Sequence, residues 1–371
     1  MTTVVKHAVI HSFTKKAHSN DLVDVTKKQK VLDIDKPAVV ALINGVNGLL
    51  GKPGNILSYG QFGDNMRQGK FPTAFADFVS PEIKNSVFLN LSHLVVDELV
   101  EQALKELLAT GGRILVTAYE SDSRPFFLVA MIKERGGIVL DDDYVPIEIV
   151  EVDLSKVYQA ARISITRYKE VIKLPDEVLG PDDVAEDRTY LAFLGQGTHN
   201  QASGYFVEAL GCTKGIASSR ATNNVLKAVT EFFSTPELKP YRSKAKFAVE
   251  AYLQRQLDTS SDAVLVDIAH GATSVLQDKQ ADHVESFKEY LNSDKVKIPA
   301  VFAVHAATLK KSTKIKAESK NGWTAQFDRR LLGNTQGADV YFDEGNKSLT
   351  FKGLDDNAIE EIQKELTSRN S

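Results

Sequence analysis

Gly51-Lys52 is the first place where residue type invites chemistry. A phosphate-cradling loop needs glycine five residues before Gly51 and Ser or Thr after the lysine to reach magnesium. Val46 and Pro53 occupy those positions, so the pair reads as loop. Gly195-Gln196-Gly197-Thr198-His199-Asn200 follows the strand-like run Tyr190 to Leu194 and precedes a helical pattern, the setting of a dinucleotide-binding turn. Asn200 stands where the last glycine belongs, and no βαβ unit surrounds it, so a plain tight turn is expected. His7 and His11 lie in a strand pattern, on one face but too far apart to share a metal. His93, His270 and His305 stand alone, and Cys212 has no activating neighbour in sequence. Asp141-Asp142-Asp143 offers hard oxygen ligands but sits between two strand patterns, as an acidic turn would. No catalytic, cofactor-binding or metal-ligating set emerges, and no enzymatic activity or cofactor is expected.

The other chemistry on offer is positive charge. The chain carries a formal charge of −4, which argues against a globally basic coat and requires any nucleic-acid contact to be local. Such a place exists. Between Lys295 and Arg330 there are nine basic residues and only two acids, Glu318 and Asp328. Thr308 to Glu318 reads as a period-two strand, with Leu309, Thr313, Ile315 and Ala317 inward and Lys311 as the exception. Lys310, Ser312, Lys314, Lys316 and Glu318 face outward. Asn321-Gly322 is a hairpin signal, and Trp323 to Phe327 is the returning strand. The expectation is a lysine-faced β-hairpin with Lys320 near its tip, supported by Arg329 and Arg330. Lysines on one strand face stand about 6.6 Å apart and can follow a phosphate backbone. Lysine without an arginine row or exposed aromatics suits phosphate contact rather than base reading. Lysines also protect sheet edges from aggregation, which is the alternative use of such a strand.

The elements that must position this segment are legible in outline. The composition, 43% hydrophobic and 25% charged, excludes wholesale disorder and permits a large core. A single cysteine excludes a disulfide framework and fits a reducing compartment. The N-terminus lacks signal-peptide character, and the apolar stretch Ala38 to Leu50 is too short to span a bilayer. A cytoplasmic protein with no membrane contact is expected. Val4 to Ile10 reads as an opening strand, and residues 44–72, rich in Gly and Asn, read as loop. A helix over Ser92 to Ala109 buries Val96, Val100, Ala103, Leu104 and Leu107 and stops at Gly111-Gly112. Closely spaced strands follow: Ile114 to Tyr119, Phe126 to Ile132, Ile138 to Leu140, Val145 to Val152 and Arg162 to Thr166. The short connections leave no room for crossover helices, so the sheet should be antiparallel.

The acidic, proline-containing segment Leu174 to Arg188 is read as a linker, dividing the chain into residues 1–176 and 177–371. Helical patterns then cover His199 to Leu210, a stretch capped by Ser218 or Ser219, Tyr241 to Tyr252, and Ala281 to Leu291. Alternation at Val340 and Phe342 and at Leu349 and Phe351 precedes a final helix capped by Asp355. The expected fold class is α+β: an N-terminal antiparallel sheet with helices, then a helical bundle ending in β-hairpins.

Three stretches resemble the bacterial nucleoid-associated proteins called NdpA or YejK. They are Tyr59-Gly60-Gln61-Phe62; Tyr190 to Leu194 with Phe206, Ala209-Leu210-Gly211-Cys212 and the helix of Leu226, Val229 and Phe232; and Trp323 to Phe327 with Leu331-Leu332-Gly333, Val340-Tyr341-Phe342, Leu349 to Gly353 and the closing helix. The matches are short and mostly apolar, but they recur in order over nearly the whole chain. The resemblance implies a cytoplasmic protein on the nucleoid that binds double-stranded DNA and works beside type II topoisomerases. It brings no catalytic residues with it. The sites expected to touch DNA are Lys310, Lys311, Lys314, Lys316, Lys320, Arg329 and Arg330. One short hairpin attaches weakly, so a homodimer presenting two copies to one duplex is also expected. The competing reading is a protein–protein adaptor whose basic segment docks an acidic partner.

Overall fold

A computed structural model of the chain describes residues 3–50, 55–63, 69–79, 84–154, 159–180, 183–195, 204–214, 216–320 and 322–369. Two compact units make up the chain, Met1–His305 and Ala306–Ser371.

The first unit is built on an eight-stranded sheet. In chain order its strands are β1 (Thr3–Lys15), β2 (Leu22–Thr26), β3 (Leu57–Phe62), β4 (Gly111–Ser121), β5 (Arg124–Ile132), β8 (Gln159–Ser164), β9 (Leu191–Gly195) and β10 (Cys212–Lys214). Between β5 and β8 the chain leaves the sheet as a separate two-stranded ribbon, β6 (Glu134–Leu140) and β7 (Pro146–Val152). The sheet order is β10-β3-β9-β8-β5-β4-β1-β2. Every pairing in it is antiparallel, as the short connections require.

Both faces of the sheet centre are covered, which explains why β4 and β5 read as nearly unbroken apolar runs rather than alternating ones. On one face, helices α2 (Phe71–Phe78) and α3 (Asn85–Ala103) bring Phe71, Phe75, Phe78 and Phe88 around Phe127 of β5. The Phe75 and Phe78 rings stand edge-on to Phe127 at 5.6 and 5.2 Å between centroids. On the other, Tyr119 of β4 donates to Asn47 Oδ1 of helix α1 (Pro37–Leu50) at 2.6 Å.

Several expectations need correction. Residues 44–72 are not one loop; they contain the end of α1, strand β3 and the start of α2. The helix expected over Ser92 to Ala109 runs from Asn85 to Ala103, so Leu107 lies beyond it and is exposed. Buried Lys15 holds the chain that follows it: its ammonium donates to the carbonyls of Glu106 at 2.8 Å and Ala109 at 3.2 Å. Those bonds hold the chain in a turn before Gly111, whose positive φ of 79° admits no side chain against the Phe13 carbonyl.

The boundary expected at 176/177 falls inside the first unit. Strands β9 and β10 come from beyond it and return to the sheet, β9 between β3 and β8. The segment from Leu174 to Arg188 is irregular, but Ala185 is buried and its N–H donates to Ser219 Oγ at 3.2 Å. Ser219 therefore receives a loop amide instead of capping its helix. The helices are α4 (Ile165–Val171), α5 (Gly204–Ala209), α6 (Ser218–Phe232), α7 (Arg242–Asp258), α8 (Leu265–Thr273) and α9 (Gln280–Asn292), with a small ladder of β11 (Ala263–Val264) and β12 (Val301–Phe302). The pattern expected from His199 is described only from Gly204 onward.

The second unit comprises helix α10 (Ala306–Thr313), the hairpin β13 (Lys314–Glu318) and β14 (Thr324–Asp328), the three-stranded sheet β15 (Leu332–Gly333), β16 (Val340–Asp343) and β17 (Ser348–Phe351), and helix α11 (Asp356–Arg369). Asp355 caps α11 as expected, accepting the Ala358 N–H at 2.8 Å.

Candidate nucleic-acid interface

The lysine segment divides between two elements. Lys310 and Lys311 lie on α10, and the strand begins only at Lys314. Lys311, which broke the period-two pattern, marks the helix. Thr308 and Leu309 are buried while Lys310 and Lys311 are exposed, and adjacent residues paired in this way fit a helical face, not a pleat. Both lysines fall in the last turn of α10, where cations complement the helix dipole.

From Lys314 onward the hairpin follows the expected register. Ile315 pairs with Phe327 and Ala317 with Ala325 on one face. Phe327 is buried there and meets Phe351 edge-on at 5.5 Å. Lys314, Lys316 and Glu318 share the opposite, polar face, across from Asp328, Gln326 and Thr324. Asn321 of the expected turn lies outside the described residues; Gly322 beside it has φ +88°, the backbone freedom that the turn demands. Lys320 is exposed near the tip.

The seven candidate residues are not equally available. Lys316 is ion-paired with Glu318. Arg330 forks onto Asp328 at 3.0 and 2.9 Å, and these hydrogen bonds hold the Asp328 carboxyl down to about 2. Arg329 donates to the Ser312 carbonyl at 3.0 Å, tying the hairpin to α10. The arginines therefore brace the segment. Lys310, Lys311 and Lys320 project into solvent, and Lys314 is half-buried. Lys295 and Lys297, counted in the same basic run, belong to the first unit and pair with Glu231 at 3.0 Å and Asp187 at 2.7 Å.

Charge in the second unit is segregated. Residues 306–330 hold seven basic and two acidic side chains; residues 331–371 hold four basic and eight acidic ones. A nearly neutral unit thus carries a basic segment of concentrated field.

A second cationic group, not apparent in the sequence, lines a cleft of about 190 Å³ in the first unit: Arg124, Arg162, Arg167 and Lys297. Their sequence separation hid them. Acids neutralise most of it, since Arg162 pairs with Asp294 at 3.1 Å and Arg167 with Glu170 at 2.9 Å.

The motifs dismissed for catalysis behave as packing and turn residues where they are described. His11 is buried, accepts the Lys28 N–H at Nδ1 (3.0 Å) and contacts Ser92 Oγ through Nε2 (2.9 Å). His7 bonds Asn85 at 2.8 Å. Burial pushes the Cys212 thiol well up, away from the reactive thiolate. Asp141 Oδ1 accepts the N–H groups of Asp143 and Val145, both at 2.9 Å, so that carboxylate holds a turn. Among the described residues no cluster of His, Cys, Asp or Glu could hold a metal, and no helix is long and apolar enough to cross a membrane. Gly51-Lys52 and residues 196–200 lie outside the described residues.

Known sequences match this organisation along its length. A curated nucleoid-associated protein of Shewanella denitrificans is 24% identical over 370 residues, 99% of each chain. One of Shewanella sp. strain ANA-3 is 23% identical over 311 residues, 83% of each, and one of Shewanella baltica is 22% identical over 370 residues, 99% of each. The sequence model of the family described as nucleoid-associated protein YejK matches residues 9–359, which takes in the eight-stranded sheet from the middle of β1 onward, the basic segment and the start of the closing helix. The chain belongs to that nucleoid-associated family.

Proposed function

We propose that this protein acts on the bacterial nucleoid, in the cytoplasm, as a non-enzymatic binder of double-stranded DNA with little sequence preference. The observation that carries the reading is the concentration of exposed lysines on α10, β13 and the hairpin tip, braced by Arg329 and Arg330. Lysine ammoniums on two adjoining elements neutralise phosphates, release counterions and ignore base identity. Family membership supports the nucleoid setting. A two-fold dimer, placing two such segments on one duplex, and work beside type II topoisomerases complete the proposal.

Titrating two unrelated duplexes, a single strand and an RNA between about 50 and about 200 mM salt tests it. Equal affinity for both duplexes, falling steeply with salt and exceeding that for the single strand, is the expected result. Salt-independent or absent duplex binding refutes it.

One observation favours the adaptor reading. Ile359, Ile362 and Leu366 form an exposed stripe on α11, which a protein surface would cover and a duplex would not. Purified protein that ignores DNA yet retains a protein partner through this helix would establish that alternative.

A further inference from the structure

The β6–β7 ribbon is the least self-sufficient part of the first unit. Among the described residues its strands pair only with each other, and an isolated two-stranded ribbon is marginal in water. Its root is fixed: Asp153 N–H donates to the Lys133 carbonyl at 2.8 Å, and Arg135 pairs with Glu151 at 2.8 Å. Beyond the root it projects aliphatic side chains into solvent. The register puts Ile138, Leu140, Pro146 and Val150 on one face with Glu148 as the only charge among them. Ile138 is 73% exposed, Leu140 59% and Val150 74%. A contiguous apolar face on a projecting ribbon marks a surface that something covers.

What covers it is indicated at the ribbon's own base. There, Ile132, Glu134 and Val152 border a mostly apolar groove of about 670 Å³ that continues over Val9 and Ile10 of β1 and over Leu32 in the segment between β2 and α1. Lys28, Lys30 and Arg113 also line the groove. The ribbon's tip carries the opposite charge in Asp141, Asp142 and Asp143. Asp141 is occupied by the turn, leaving Asp142 and Asp143 as outward carboxylates. Arg113 is paired with Glu134 at 3.4 Å, so the groove's outward positive charge is Lys28 and Lys30. An acidic arm tip and lysines in the groove beside the arm's root are self-complementary about a two-fold axis at the arm's midpoint. Two arms laid antiparallel, about 24 Å long, bring each tip to the other's root and each apolar face into the other's groove.

We infer that the β6–β7 ribbon is a dimerisation arm that docks in the groove beside the root of the same arm on a second copy of this chain. The inference does not depend on DNA binding and is tested without DNA.

Sedimentation equilibrium of the full chain across micromolar concentrations should give twice the 40.8 kDa chain mass. Ile138→Lys with Val150→Lys changes only exposed positions; it should weaken association at least tenfold while leaving the far-ultraviolet circular dichroism unchanged. Lys28→Glu with Lys30→Glu should dissociate the dimer, and adding Asp142→Lys and Asp143→Lys to that variant should restore it. A wild-type protein of single-chain mass, an arm variant that stays dimeric, or a charge exchange that fails to restore assembly would each overturn the proposal. Replacing Lys310, Lys314, Lys316 and Lys320 should leave the mass unchanged, separating this surface from the proposed DNA contact.

Discussion

The Tyr59 hydroxyl donates to the main-chain carbonyl of Asn292 at 2.6 Å, across 233 positions of sequence. The Asn292 side chain completes the connection: its Oδ1 accepts the Leu57 N–H at 2.6 Å and its Nδ2 donates to the Leu57 carbonyl at 2.9 Å. An asparagine at the end of α9 thus acts as a strand partner for the start of β3. Burial pushes the Tyr59 phenol far above its ordinary value, with Asp294 adding to the effect, so this hydroxyl remains a donor at any working pH.

Asn292→Ala should therefore strand the buried Leu57 N–H and carbonyl, together with the Ile298 carbonyl that also accepts from Asn292. Unpaired buried groups of this kind cost roughly 1–3 kcal/mol each, and partial relaxation leaves a net loss of about 2–4 kcal/mol. The urea midpoint of the first unit measures it. A change under about half a kcal/mol would mean that water takes over the asparagine's partners.

Nicking the segment between Leu174 and Arg188 should not release separate domains. Strand β8 before it and β9 after it are paired, with Ala161 opposite Phe193. Cleaved chains should separate on a denaturing gel yet elute together at the intact position under native conditions. Release of a free fragment after that cut would contradict the shared sheet.

Replacing Lys310, Lys314, Lys316 and Lys320 by Ala should weaken binding to unrelated duplexes by similar factors. Each lost phosphate contact lowers the slope of log affinity against log salt by about 0.9, so the four together remove about 3 to 4 units. The unchanged slope of a folded variant would remove these lysines from the interface. Stability should change little, because three of the four are exposed and Lys314 is half-buried.

His11 should make stability fall with acid. Burial, then the neighbouring His93 and Lys27, lowers its imidazole to about 4. Its Nδ1 accepts the Lys28 N–H and must stay unprotonated to do so. With the folded value below the unfolded one of about 6.5, the stabilising contribution is complete above pH 6.5. It is lost as pH falls through about 4, since the unfolded chain takes up the proton first. The loss over that window is of the order of 3 kcal/mol. His11→Gln should flatten the dependence of the urea midpoint on pH between about 6.5 and 4; an unchanged profile would assign the acid sensitivity elsewhere.

The sequence alone determined those features whose causes are local. Closely spaced turns around apolar runs left only antiparallel pairing for β4, β5 and β8, and the alternation of Ile315, Ala317, Ala325 and Phe327 set the β13–β14 register. Asp355 announced α11 through a cap that acts within three residues. Family membership was legible because the apolar residues of Tyr190 to Leu194 and Trp323 to Phe327 recur in order along the chain.

Tertiary structure decided what depends on distant partners. Lys310 and Lys311 went to a helix although the surrounding residues alternate acceptably as a strand, because short segments are ambiguous until packing selects one face. Lys295 and Lys297 counted toward the basic run, but the fold delivers Glu231 and Asp187 to neutralise them. Lys15, a charged residue at the end of β1, is buried, with its ammonium among the carbonyls of the turn that follows α3. The acidic stretch before Arg188 resembled a linker, yet an antiparallel sheet can accept a strand from any distance, and β9 and β10 return to it. Composition and spacing carry no information about which remote strand edge or carboxylate will arrive beside a residue; that is fixed only when the core closes and every buried polar group must find its partner.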